Sequence, residues 1–428
     1  MERDSKIYKT YVEILKRELV PAMGCTEPIA IAFATAKATA VLGTLPEKIL
    51  VETSGNIIKN VKSVVVPNTN GKRGIATAAA AGAVFGDADA GLQVIAKSSE
   101  EDQKKLDEYL KRTEITVKGI DHGYILDIII TVSTDGHIAK VRCALEHTNI
   151  CHIEKDGEVL FDKPIVEKTS DSLLDYDLLD IKEIVDFAET CELSDVRPML
   201  EQQIKYNVAI SDEGLKGNYG ANIGRVILTA YGTDNIRVVA RASAAAGSDA
   251  RMNGCEMPVV INAGSGNQGI TCSVPVVKFA EKYQTSEENL YRALVISDLV
   301  TLHEKEGIGR LSAYCGAVSA GAGAGAGIAW LLSGGDYKYV THTIVNALAI
   351  NSGMVCDGAK SSCAAKIAAS VDAGILGYEM YKNGQQFRDG EGIVTKGVEN
   401  TIRNVSRLGR DGMKETDQEI IRIMTEKC

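Results

Sequence analysis

The sequence predicts an α+β protein, with an amino-terminal α/β domain built on an antiparallel sheet followed by an all-helical domain. Three observations carry this reading. β-Branched runs broken by Asp-Gly dipeptides crowd residues 124–161, apolar residues recur with helical spacing near the amino terminus, and nearly every segment after residue 177 reads as helix. The 428 residues are enough for more than one domain, and 45% hydrophobic with 24% charged residues is ordinary for a globular chain.

Taken in order, Ile7, Tyr11, Ile14, Leu15 and Leu19 share one helical face, and Pro21 stops the run. A short loop, Pro21 to Pro28, carries Met-Gly-Cys-Thr-Glu-Pro, and an Ala-rich helix then spans about Ile29 to Leu42, starting just after a proline as helices often do. Lys48 to Thr53 and Ser63 to Val66 read as strands rich in β-branched residues. The polar loop Asn68-Thr69-Asn70-Gly71-Lys72-Arg73 feeds a second Ala-rich helix, and a charged helix follows near Ser99 to Leu110. Strands at Tyr124–Ser133 and His137–Ala144 flank Asp135-Gly136, and strands at Ile150–Lys155 and Glu158–Phe161 flank Asp156-Gly157. Such dipeptides favour tight hairpins, so this region forms an antiparallel sheet with helices on one face. Asp162 to Asp177 is charged and aperiodic, which places the junction there and gives domains of 1–163 and 164–428. Glycines interrupt the later helices, most densely from Gly316 to Gly327. Each costs about 1 kcal/mol against alanine, so the run implies close approach of a neighbour, most simply another helix packed through small residues.

Composition excludes several function classes. A net charge of -10 without a basic block argues against a nucleic-acid surface. The opening Met-Glu-Arg-Asp-Ser-Lys leads into an amphipathic stretch with no apolar export signal, so a cytoplasmic location is expected, and ten cysteines then read as reduced thiols or metal ligands. Ala317 to Leu332 is too short and too weakly lipophilic for a bilayer span, so no membrane association is expected.

The candidate chemistry lies in the second half. Cys315, Cys356 and Cys363 sit beside small residues in Ala-Tyr-Cys-Gly, Met-Val-Cys-Asp-Gly-Ala-Lys and Ser-Ser-Cys-Ala-Ala. That suits thiolates gathered on a 4Fe-4S cluster, where three protein ligands would leave one iron open as a Lewis acid. The C-x6-C spacing alone is equally compatible with buried structural cysteines. The loop Asn262-Ala263-Gly264-Ser265-Gly266-Asn267-Gln268-Gly269 offers backbone N–H groups, a hydroxyl and amides to an anion; it has no Walker lysine and is not a nucleotide fingerprint. Arg251 precedes it and can pair with a carboxylate, while a helix-end ion pair explains it nearly as well. Lys360 lies between two of the cysteines, where it could hold a thiolate or neutralise cluster charge. The six histidines, His147 and His152 among them, lack metal-site spacing and read as strand or surface residues. Cys143, Cys151, Cys191, Cys255 and Cys272 read as packing, and Cys428 ends the chain on a tail.

Gly353-Met354-Val355-Cys356-Asp357-Gly358-Ala359-Lys360 with Cys363, together with Met23-Gly24-Cys25-Thr26-Glu27-Pro28, resembles the L-cysteine desulfidase family, which is related to the iron-sulfur L-serine dehydratases. The resemblance covers most of the chain. It implies a carbon–sulfur lyase that converts L-cysteine into pyruvate, ammonia and sulfide, with an oxygen-sensitive 4Fe-4S cluster on Cys315, Cys356 and Cys363 and no pyridoxal phosphate. Cys25 replaces part of a serine-histidine-threonine motif of the dehydratases. A thiolate at a helix start can have a lowered pKa, so Cys25 is the expected base, with Lys360 beside the cluster as the second catalytic candidate. Thr26, Glu27, Asn70, Arg251, Ser265, Gly266, Asn267 and Gln268 are the expected substrate contacts. The dehydratases use a longer interval between their last two ligands, a departure that favours a thiol substrate; a serine dehydratase and a non-catalytic metal-stabilised binding protein are the alternatives. A homodimer is the expected assembly.

Overall fold

A computed structural model describes residues 1–165, 175–309 and 311–425. Helix α1 (Lys6–Glu18) and strand β1 (Pro21–Met23) lead into α2 (Thr26–Leu42), β2 (Lys48–Ser54), α3 (Gly55–Val61), α4 (Ile75–Phe85) and α5 (Glu100–Arg112). Strands β3 (Glu114–Ile120), β4 (Asp127–Thr134), β5 (His137–Ala144), β6 (Ile150–Lys155) and β7 (Glu158–Asp162) complete the sheet region. From residue 175 onward the described elements are helical apart from β8 (Pro258–Val260) and short turns. They are α6 (Ile181–Thr190), α7 (Arg197–Lys216), α8 (Ile223–Tyr231), α9 (Ile236–Met252), α10 (Gly266–Tyr283), α11 (Glu287–Ile308), α12 (Gly316–Ser333), α13 (Tyr337–Ile350), α14 (Cys363–Lys382), α15 (Val398–Arg407) and α16 (Lys414–Thr425). The chain is thus α+β, with a sheet-bearing amino-terminal region and a helical carboxy-terminal one.

The six-stranded sheet runs in the order β3-β2-β4-β5-β6-β7 and is antiparallel except at one edge, where β3 lies parallel to β2 after a crossover through α3, α4 and α5. Both Asp-Gly hairpins form, with Asp135 and Gly136 at φ 43° and 82° and Asp156 and Gly157 at φ 49° and 86°, the paired left-handed residues that match strand twist. Period-two alternation puts Ile49, Val51, Ile128, Ile130, Val132, Val141 and Cys143 on one face, where they share a core with α2 and α4. The expected strand at Ser63–Val66 is reduced to a single bridge, Val65 to Arg73. Pro67 lacks an N–H to extend a ladder, and Asn68, Asn70 and Gly71 at φ 58°, 55° and 76° turn the chain back.

Two features tie the ends of the molecule together. Tyr8, Tyr11, Ile14 and Leu15 of α1 are buried in the helical core, with Tyr8 and Tyr11 edge-on to Phe187 at 5.1 and 5.4 Å. Strand β1 pairs antiparallel with β8, Pro21 opposite Val260 and Met23 opposite Pro258. The junction expected at Asp162–Asp177 falls largely on 166–174, outside the described residues.

Helix α12 is long and apolar enough to cross a membrane by composition, yet 78% of that stretch is buried in the helical core. Its glycines explain why. A Cβ on Gly321 would sit 2.4 Å from the Ser370 carbonyl oxygen, one on Gly325 2.8 Å from Gly374 Cα, and one on Gly323 2.5 Å from the Ser297 carbonyl oxygen. The run brings α12 backbone-to-backbone with α14 on one side and α11 on the other.

Candidate active site

Three helix starts and two loops converge on one cavity of about 110 Å³. That is well below the roughly 300–1,000 Å³ of sites for drug-sized ligands. Its wall includes Cys25, Glu27, Arg251, Ser265, Asn267, Gln268, Cys315, Cys356 and Cys363, residues far apart in sequence.

The cysteines arrive by local rules. Cys315 caps the amino terminus of α12, and Cys363 is the first residue of α14. Cys356 reaches Cys315 because Tyr314 bridges Val355, the Cys315 N–H donates to the Met354 carbonyl at 3.1 Å, and the Cys356 N–H donates to Ala313 at 2.6 Å. The Cys363 Sγ lies 3.6 Å from the Gly358 carbonyl. Gly358, at φ 94°, packs its α-carbon on α3, where a Cβ would meet the Lys59 carbonyl at 2.4 Å. The ionisation of Cys315 and Cys356 is linked: Cys315, with Lys59 and Lys305 adding to the effect, holds the Cys356 thiol low against burial, while Cys356 and burial push the Cys315 thiol well up. Among the described residues no three His, Cys, Asp or Glu side chains close tightly enough to hold a single metal ion.

The opposite wall combines a tight turn with a buried arginine. The Asn262 and Ser265 backbones bond reciprocally at 3.1 and 3.0 Å across Ala263 and Gly264, at φ 48° and 76°, and α10 begins at Gly266. A Cβ on Gly266 would lie 2.3 Å from Arg251 Nε, so only glycine lets the guanidinium rest on this turn. Arg251 is 2% exposed, and its Nη1 donates to Asn267 Oδ1 at 3.0 Å. Its Nε and Nη2 are buried without a hydrogen-bond partner. Nothing in this wall is the helix-end ion pair that the sequence left open.

At the start of α2, Glu27 is held by Asn60, which donates to Oε1 at 3.0 Å, and by the Cys25 thiol, which donates to Oε2 at 3.0 Å. Thr26 Oγ1 lies 3.0 Å from the Gly264 carbonyl and so joins the two loops from behind the cavity. Burial alone would raise Glu27, but His147, the Cys25 thiol, backbone donation and Arg251 outweigh it and keep the carboxyl below its ordinary range. Cys25 behaves otherwise than expected: burial, with Glu27 adding, pushes its thiol well up, so desolvation overrides the helix-start effect and no stabilised thiolate results.

Four candidate residues are not on the cavity wall: Thr26 and Gly266 lie behind it within the two loops, and Lys360 and Asn70 point elsewhere. Lys360 is absent from the cavity wall; it pairs with Asp357 and donates to the Gly358 carbonyl at 3.2 Å, closing its own loop. Asn70 is exposed on its turn, while its neighbour Asn68 is the buried one, donating to the Ile95 carbonyl at 2.6 Å. Cys428 lies outside the described residues. Sequence reasoning missed Lys59 and Asn60 of α3, Lys305 of α11, Tyr314 and His147, all of which line the cavity. None of them carried a sequence signal that set it apart from an ordinary helix or turn residue.

A helical core that presents three thiols opposite a buried arginine, with Cys25, Glu27, Lys59 and Asn60 of the amino-terminal region on the same wall, defines a pocket of small-molecule size. The chain belongs to the serine dehydratase alpha chain family, whose model matches residues 89–422. It is similar to a UPF0597 protein of Desulfitobacterium hafniense (strain Y51), 57% identical over all of this chain and 99% of that one. UPF0597 proteins of Lachnoclostridium phytofermentans and Treponema denticola are 49% and 44% identical, over 98% and 99% of this chain and 100% and 99% of theirs.

Proposed function

We propose that this chain is an L-cysteine desulfidase, which eliminates sulfide from L-cysteine to leave pyruvate and ammonia, with Cys315, Cys356 and Cys363 holding a 4Fe-4S cluster. The observation that carries this reading is the meeting of those three thiols with Arg251 in a single small cavity. The thiols fit the cofactor in their chemistry: three cysteine side chains line one cavity, Cys315 and Cys363 at the starts of α12 and α14 and Cys356 in the loop before α14. Lys59 and Lys305 beside them offset thiolate charge. When bound, a cluster with three protein ligands supplies Lewis acidity toward the leaving group.

The chain's own residues supply the rest. Arg251, with two N–H groups unmatched, takes the substrate carboxylate in a charge-assisted fork, and the Ser265–Gln268 turn lines the same end. The cavity's small volume suits a substrate no larger than a single small amino acid. The nine described cysteines are all free thiols, in keeping with a reducing cytoplasm. A homodimer remains the assembly we expect.

Serine dehydration is the second reading, favoured by the description of the matching family. Anaerobic purification, iron and acid-labile sulfide analysis, and pyruvate release from L-cysteine against L-serine distinguish the two. Single Cys315→Ser, Cys356→Ser and Cys363→Ser variants are expected to lose iron while Cys25→Ser keeps it. Colourless, iron-free wild-type protein after oxygen-free reconstitution would sink the proposal, and brown protein that releases no pyruvate would leave a metal-stabilised binding protein instead.

A further inference from the structure

Besides cysteines and cations, the cavity wall carries one imidazole, and the chain goes to some trouble to put it there. Strand β5 ends at Ala144, and Leu145 follows at φ 69°, a left-handed conformation rarely adopted by a bulky side chain and costing about 1–3 kcal/mol. Its N–H donates to the Leu126 carbonyl at 3.0 Å, and the Asn149 side chain donates to the Ala144 carbonyl at 2.9 Å. Glu146 is paired with Arg17 of α1. The turn is fastened on both sides, and it turns His147 inward, 8% exposed, onto the same cavity as Glu27. Strain of this kind concentrates where a side chain must be aimed.

Glu27 completes the arrangement. Asn60 and Cys25 fix its two oxygens at 3.0 Å each, and the carboxylate faces the same cavity as His147. A carboxylate on the same wall favours the protonated form of a nearby imidazole and so makes the ring a better proton acceptor. Cys25, by contrast, already directs its proton at Glu27. We propose that His147, aimed into the cavity it shares with Glu27, is the base that removes the α-proton of the bound amino acid, with Cys25 a fixed hydrogen-bond donor to Glu27. This rests on the amino-acid reading of the site given above. In the step, an imidazole nitrogen takes the proton from Cα, the C–H electron pair becomes the Cα=Cβ bond, and the Cβ–S pair departs with sulfur. Aminoacrylate and sulfide result, and the imidazolium returns its proton to the departing sulfur or to water, so no oxidant or reductant is needed.

The test uses anaerobically prepared holoenzyme and L-cysteine, with iron content and unfolding midpoint as controls for folding. His147→Gln is expected to lower kcat at least about 10²-fold with KM and iron unchanged. His147→Asn stands in should the glutamine variant lose iron, and added imidazole should restore part of the activity of His147→Ala. Glu27→Gln should lower kcat at constant KM and not respond to imidazole. Full turnover in iron-replete His147 variants, or a loss confined to Cys25→Ser, overturns the assignment. Wild-type holoenzyme that releases pyruvate from neither cysteine nor serine overturns the amino-acid reading itself, and this base with it.

Discussion

Arg251 has the clearest unmet demand of any residue in the cavity, because a guanidinium at 2% exposure with two undonated N–H groups is costly unless a ligand satisfies it. Replacing it with methionine should raise KM for the amino acid about 10- to 100-fold with a smaller effect on kcat, since a paired charge-assisted contact is worth about 1.5–3 kcal/mol. Lysine should recover only part of this, lacking the planar fork. Steady-state kinetics with cysteine and with cysteamine, which has no carboxylate, checks both points; cysteamine turnover should be nearly indifferent to Arg251→Met. At this scale the site was partly legible. Cys315, Cys356, Cys363, Arg251 and the Ser265–Gln268 turn carried composition and motif signals, and all of them meet. Lys59, Lys305 and His147 did not, because a lysine within a helix or a histidine in a turn is ordinary until tertiary packing brings it beside thiols. Lys360 misled for the converse reason: nearness in sequence to two cysteines did not decide where its side chain points, and Asp357 holds it away.

Among the elements, α12 and α14 set the geometry of two of the three thiols, since Cys315 and Cys363 stand at their amino-terminal ends. A Cβ on Gly374 would lie 2.2 Å from the Gly321 carbonyl oxygen, a backbone atom that cannot rotate away. Gly374→Ala should therefore cost about 1–3 kcal/mol by overpacking, read as a lower denaturant midpoint, despite alanine's better helix propensity. Iron occupancy should fall with it as the two helix starts separate. Gly384→Ala serves as the contrast: at φ 72° with open space around it, it tests backbone strain without a clash. The elements were legible where local chemistry decides them. Both Asp-Gly hairpins and the helical second half followed from turn residues and periodicity, whereas β3 at an exposed edge and the lone bridge at Val65 depend on what packs beside them.

For the whole molecule, two buried charges set the dependence on conditions. Asp298 lies under the Asn262–Ser265 turn, where it accepts from Gln203 at 2.8 Å, Asn262 at 2.9 Å and Cys272 at 3.1 Å, and burial raises its carboxyl to about 6. The unfolded chain releases this proton near pH 4, so between about pH 4 and 6 the native state binds the extra proton and stability falls as pH rises through that window. The loss is on the order of 3 kcal/mol. Asp298→Asn should flatten this part of the stability profile measured by denaturant titration at successive pH values. Lys59, 1% exposed, is neutralised by Asp417 of α16, which also receives Asn56. Asp417→Ala should destabilise by about 3–5 kcal/mol by stranding that ammonium, and should expose α3 to proteolysis.

The pairing of α1 and β1 with the far half of the chain also has a consequence for biosynthesis. The Tyr8 hydroxyl donates to Asp195, 187 residues further on, and Pro21 meets Val260. Translation makes this helix well before the segments it docks on, so the nascent polypeptide carries Tyr8, Tyr11, Ile14 and Leu15 uncovered until those segments emerge, a ligand for chaperones. A message truncated after the sheet would yield a product whose leading helix has nowhere to dock, marked for degradation by its own first turn of apolar residues.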